Sequence, residues 1–162
     1  MSSDERTRRK NRKPTKPASF VAQTKPSSDD HHDVVYFRRR ADGTIPGRDY
    51  LRALPAGVRA KFNARLIAVA KAPPKRFAGG GYWEAMHGNM TGWFELRCDG
   101  PDRTHHRLYC RLDYEAERVD KPLLVIITGL NKPFRTTLSD SDYARVRALG
   151  AEYFAENPRS IS

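Results

Sequence analysis

Two stretches near the middle of the chain restrict its fold more than any others. Trp93-Phe94-Glu95-Leu96-Arg97-Cys98 and His105-His106-Arg107-Leu108-Tyr109-Cys110-Arg111-Leu112 both alternate in polarity. A period of two belongs to a strand with one buried face. Asp99-Gly100-Pro101-Asp102 between them is rich in turn formers, so the runs are expected to pair as an antiparallel hairpin. Aligning the apolar sides on a core groups Phe94, Leu96 and Cys98 with His106, Leu108, Cys110 and Leu112. Trp93, Glu95, Arg97, His105, Arg107, Tyr109 and Arg111 then share the other side, which is expected to be open. Cations, aromatic rings, a carboxylate and an imidazole on one surface are the inventory for holding and cleaving single-stranded RNA. An ordinary solvated face of an antiparallel sheet has the same alternation, so spacing alone assigns no site.

Composition narrows the partners. A net charge of +11 and a pI of about 10.0 favour a polyanion, nucleic acid first and a membrane surface second. The longest apolar run, Leu123 to Ile127, is far too short to span a bilayer. With no signal peptide read, the two cysteines, Cys98 and Cys110, are expected to be core thiols in a reducing cytoplasm, close together behind the hairpin. No Cys-x-x-Cys spacing is present, and no metal is expected although His106 shares their face.

The 162 residues suit one domain with a tail. Residues 1–33 read as a disordered basic arm. Arg6, Arg8, Arg9, Lys10, Arg12, Lys13 and Lys16 are interleaved with Ser, Thr and Pro, with little apolar surface to offset ordering entropy. The arm suits contact with RNA or the ribosome, or mere solubilisation. The domain is expected over residues 34–157, with 158–162 as a tail. Val34-Val35-Tyr36-Phe37 reads as a strand followed by Arg38-Arg39-Arg40. Tyr50, Leu51 and Leu54 have helical spacing, and Pro55 suits the start of a second helix with Val58, Phe62, Leu66, Val69 and Ala70 as its apolar stripe. That helix ends at Pro73-Pro74. Gly79-Gly80-Gly81 is a joint and not a phosphate loop, since no Gly-Lys-Ser/Thr follows. A strand over Tyr82 to Met86 and a turn at His87-Gly88-Asn89 lead into the hairpin. Leu123 to Ile127 is a central strand, running into a basic loop from Thr128 to Thr137. Ser139 or Ser141 then caps a last helix. The order predicts an α+β domain with its helices on one side of an antiparallel sheet.

Over Val34 to Phe154 the chain resembles the RelE/ParE superfamily of bacterial toxins, within it the phage-derived, HigB-like branch. Tyr50-Leu51-Arg52-Ala53-Leu54-Pro55 leading to Val58-Arg59-Ala60-Lys61 is similar to the family's N-terminal helical hairpin. Trp93-Phe94-Glu95-Leu96-Arg97 followed by Arg107-Leu108-Tyr109-Cys110 resembles its central pair of strands. Gly129-Leu130-Asn131-Lys132, with Thr137 before a C-terminal helix, resembles its last signature. Pro133 stands where a second lysine is usual, and Leu138 where a proline is common.

The resemblance implies a RelE-like, microbial-RNase-like fold and a type II toxin that cleaves mRNA, usually on the ribosome, without metal or organic cofactor. It implies a protein antitoxin, expected to be of helix-turn-helix type, that covers the basic face or displaces the last helix. In that chemistry the ribose 2′-hydroxyl attacks the adjacent phosphate, and cations must meet the developing charge. Arg97, Arg107 and Lys132 match basic positions of the motifs, and Arg135 reinforces Lys132. Trp93 and Tyr109 are candidates to stack bases, and Arg111 to hold RNA. Glu95 and His105 are the candidate general bases, ahead of Tyr109 and Tyr143. Glu95 has a second reading, as an ion-pair partner for Arg97 or Arg107. Other functions the same sequence permits are gyrase inhibition, as in the ParE branch, and RNA or ribosome binding without cleavage.

Overall fold

The computed structural model describes residues 31–77 and 80–162. The basic arm lies outside these residues up to position 30, as do Ala78 and Gly79 of the glycine joint. Five strands form one sheet in the order β1-β5-β4-β3-β2. They are β1 (Asp33–Tyr36), β2 (Trp83–Ala85), β3 (Trp93–Gly100), β4 (Thr104–Asp113) and β5 (Leu123–Pro133). The helices are α1 (Pro46–Arg52), α2 (Ala56–Lys71) and α3 (Asp140–Phe154). Among the described residues no helix is long and apolar enough to cross a membrane.

The α+β class stands, but two features of the expected architecture do not. The sheet is mixed, because β1 runs parallel to β5 while the other pairs are antiparallel. The helices also cover both faces. On one face, Leu51 of α1 and Val58, Phe62, Leu66 and Val69 of α2 pack on Leu96, Cys98, Leu108, Cys110, Leu124 and Ile126. On the other, Val146 and Tyr153 of α3 pack with Phe37, Met90, Trp93, Tyr109, Leu123, Val125 and Ile127. The continuously apolar run of β5 is the signature of that burial on two sides: alternate residues feed two different cores.

Local chemistry sets the elements. Pro46 opens α1, where its missing N–H has no intrahelical partner to lose. Ser139 caps α3 through a capping box with Asp142, each side chain meeting the other's backbone N–H. Strand β5 continues through Pro133, where a loop from Thr128 was expected. Gly129 makes this continuation compatible with α1, because a Cβ there would strike the ring of Tyr50. Tyr50 Oη donates to Asn131 Oδ1 at 2.5 Å and accepts from the Arg107 backbone N–H at 3.2 Å, tying α1 to β5 and β4.

Residues 158–162 are not a tail. Ile161 bridges Phe37, Ser162 exchanges backbone hydrogen bonds with Tyr36, and the Arg38 N–H donates to the Ser160 carbonyl. Arg159 Nε donates to Asp113 Oδ2 at 2.8 Å, and Tyr153 Oη donates to the same oxygen at 2.7 Å. The exposed edge of β1 is thereby covered, which removes a row of unpaired backbone groups.

Candidate nucleic-acid interface

The β3–β4–β5 register lays the site out in rows on the α3 side of the sheet. Glu95 faces Tyr109, which faces Thr128; Arg97 faces Arg107, which faces Leu130; Asp99 faces His105, which faces Lys132. Helix α3 covers the Trp93 and Tyr109 end, where Trp93 is 4% and Tyr109 0% exposed. The last two rows lie beyond it. Strand β2 is short and pairs only as far as Leu96, so beside Arg97 and Asp99 the sheet edge drops into a cleft of about 370 Å³. Lys61 and Arg65 of α2 and Tyr82 form the other wall.

Arg97 is the half-buried cation at the mouth of the cleft. Its Nε donates to Glu95 Oε1 at 2.5 Å, and a terminal nitrogen reaches Glu84 Oε2 at 2.8 Å. Arg107 is nearly buried, with Nε 3.9 Å from the second oxygen of Glu95. Glu95, itself 7% exposed, therefore lies between two guanidinium groups. That geometry is of an anion fixing two cations and not of a base open to substrate. Arg65 donates to the Arg97 carbonyl and, at 3.4 Å, to Cys98 Sγ, while its guanidinium lies 4.6 Å above the Tyr82 ring. Burial pushes the Cys98 thiol above its ordinary pKa despite Arg65 and Lys61.

At the end of the sheet, His105 Nδ1 is 2.5 Å from Asp99 Oδ1. The hydrogen bond to His105 holds the Asp99 carboxyl below the usual range. Phe134, just past β5, stacks on the imidazole at 4.1 Å and is pinned by its N–H to the Arg103 carbonyl. His106, facing the other way, shares Asn131 Oδ1 with Tyr50 at 2.7 Å and is structural.

The open aromatic face expected from the alternation does not exist. Trp93 lies under Gly150 of α3, where a Cβ would strike the indole, so Trp93 cannot stack a base. Tyr109 packs edge-on against Tyr143 at 6.2 Å beneath the same helix and is equally closed. Arg111 is not a phosphate contact, since its guanidinium is sandwiched 5.3 Å from Trp93 and 4.9 Å from Phe154. Burial lowers its pKa. Lys132 is half-buried in the outermost row, and Arg135 is exposed in a left-handed turn (φ 63) after β5. Cys98 and Cys110 are buried but not neighbours: Cys98 faces His106 and Cys110 faces Phe94, which separates them by about 13 Å along the strands. Three contributors were not legible as site residues. Arg65 and Lys61 read as the wet side of a helix, and Tyr82 read as strand.

Fold and site define a class: an α+β domain whose sheet ends in a cation-lined cleft, with Arg97 half-buried and Arg107 buried at its wall. No family model and no curated protein matches the chain. Among solved structures it is similar to the toxin–antitoxin complex RelBE2 from Mycobacterium tuberculosis, at 19% identity over 64% of this chain and 98% of that one, with a TM-score of 0.37. A TM-score that low decides neither fold nor activity.

Proposed function

We propose that the chain is the toxin of a type II toxin–antitoxin pair and acts as a metal-independent, ribosome-associated mRNA endoribonuclease in the cytoplasm. The observation that carries this reading is the paired row Arg97–Arg107 at the mouth of a cleft also lined by Lys61 and Arg65. Four cations around one concave surface suit a phosphodiester, and preorganised donors of this kind each stabilise a phosphorane-like transition state by about 2.7–4 kcal/mol. Arg97 and Arg107 clamp the scissile phosphate, with Glu95 holding them in place. Lys132 and Arg135 grip the strand at the sheet end. Tyr82, half-buried in the cleft wall, and not Trp93 or Tyr109, is the ring within reach of a base in the cleft. A protein antitoxin would neutralise this basic surface, and the arm would add phosphate contacts.

One observation favours a second reading, RNA binding without cleavage: Arg97 is already held by Glu84 as well as Glu95. Both readings are tested by adding the purified full chain to a translating extract and mapping mRNA 5′ ends. New ends within coding regions support the nuclease. RNA retention without new ends supports the binding protein, and inhibited DNA supercoiling with intact mRNA supports a gyrase inhibitor.

A further inference from the structure

A cleaving enzyme needs a group to take the proton of the 2′-hydroxyl, and Glu95 is closed off by its two arginines. Asp99 and His105 are direct cross-strand partners at the uncovered end of the sheet. Their side chains meet through Nδ1, and Phe134 fixes the plane of the ring. Since a carboxylate only accepts, in the neutral ring Nδ1 carries the proton and Nε2 keeps its lone pair. Both residues line the cleft with Arg97 and Arg107, which occupy the adjacent cross-strand row, about 7 Å along the strands. That is the separation at which a phosphate on the guanidinium pair brings a ribose hydroxyl toward the imidazole.

We propose that His105 is the general base of RNA cleavage and that Asp99 is its positioning residue, an assignment that rests on the nuclease reading above. The 2′ oxygen attacks phosphorus as Nε2 takes its proton. The bond from phosphorus to the 5′ oxygen breaks, and the electron pair leaves with that oxygen. Solvent water protonates the 5′ oxygen, and the imidazolium returns its proton to the hydroxide so formed. The products are a 2′,3′-cyclic phosphate and a 5′-hydroxyl end, with the dyad restored. Asp99 acts on the ring by selecting the tautomer and offsetting the charge of the imidazolium as it forms.

The charged groups that line the cleft with the ring or share its row are Asp99 and Arg97 from β3, Arg107 from its own strand, Lys132 from β5, and Lys61 and Arg65 from α2. Asp99 is the one anion among them, so its replacement has a defined direction. The test is single-turnover cleavage of a defined mRNA, on programmed ribosomes and free, from about pH 5 to 8, where imidazoles titrate. Wild type, His105→Gln, Asp99→Asn and Asp99→Glu are compared, with circular dichroism and thermal melting of each as the check on folding. Wild type is expected to lose activity about tenfold per pH unit on the acid side. His105→Gln should lose about 100-fold or more and no longer show that limb. Asp99→Asn should move the limb to lower pH with a reduced plateau, and Asp99→Glu should restore part of both. An acid limb that persists in folded His105→Gln, or does not move in folded Asp99→Asn, overturns the dyad while leaving the nuclease intact. Absence of cleavage by wild type on both substrates overturns the dyad and the nuclease together.

Discussion

Arg97 and Arg107 stand directly opposite each other across β3 and β4 and share the buried carboxylate of Glu95. Like charges in facing positions repel, and Glu95 offsets that repulsion. Its neutralisation by Glu95→Gln is expected to cost about 1–3 kcal/mol of stability, because charged donors lose their partner in a nearly dry site. Glu84→Gln, at a side chain 48% exposed, should cost less than about 1 kcal/mol. Urea unfolding of the two variants checks the contrast, and equal midpoints would assign the guanidinium pair another counterion.

Replacing either guanidinium should separate catalysis from folding. Arg97→Gln and Arg107→Gln are each expected to reduce mRNA cleavage about 100- to 1000-fold and relieve growth arrest. Trp93→Phe and Tyr109→Phe, both under α3, should shift stability and leave RNA affinity unchanged. Filter binding and end mapping on the same protein preparations measure both. A loss of RNA affinity in folded Trp93→Phe would require α3 to lift from the sheet.

Beyond the cleft, Asp113 and Arg159 join β4 to the C-terminal residues with side chains 1% and 8% exposed. Breaking a buried pair by removing one partner leaves an uncompensated charge, so Arg159→Ala should destabilise the domain by about 3–5 kcal/mol. Deleting residues 158–162 should do at least as much, since it also uncovers β1. Chemical denaturation reads both changes. A truncated chain as stable as the full one would return this segment to the status of a tail.

The acid side of the stability curve should carry a signature of α3. The Ser139 hydroxyl and N–H, with Arg145, hold the Asp142 carboxyl below the usual carboxylate range. A depressed folded-state pKa contributes stability that is present above the unfolded value, about 3.9, and is lost as pH falls through the folded one. Ser139→Ala should therefore lower the melting temperature at neutral pH and flatten its fall on acidification. Melting curves from about pH 2 to 6 report the difference. A parallel pair of curves would show that the cap does not couple to the carboxylate.

Removal of the basic arm should flatten the salt dependence of RNA binding, each lost single-strand phosphate contact lowering the log–log slope by about 0.7. Titrations at several salt concentrations with and without residues 1–30 measure it, and an unchanged slope would make the arm a passive extension.

Much of this protein could be read directly from residue order, because the interactions concerned are local or periodic. The stripe Val58, Phe62, Leu66, Val69 and Ala70 is the buried face of α2, since helical pitch alone puts those residues together. Alternation assigned Arg97 and Arg107 to one face of a hairpin, and turn chemistry between the strands brought them level. The Ser139 cap was likewise within reach of a sequence reading, involving residues only three apart. What alternation could not say is whether that face is wet. Trp93, Tyr109 and Arg111 alternate as faithfully as Arg97, yet α3, which begins only at Asp140, covers the first three and stops short of the fourth. The contacts Asp113–Arg159 and Arg65–Tyr82 are of the same kind: nothing in either local stretch names its partner. A strand's pattern determines which side chains share a face, but burial of that face depends on where a distant helix packs, and only the tertiary structure decides that.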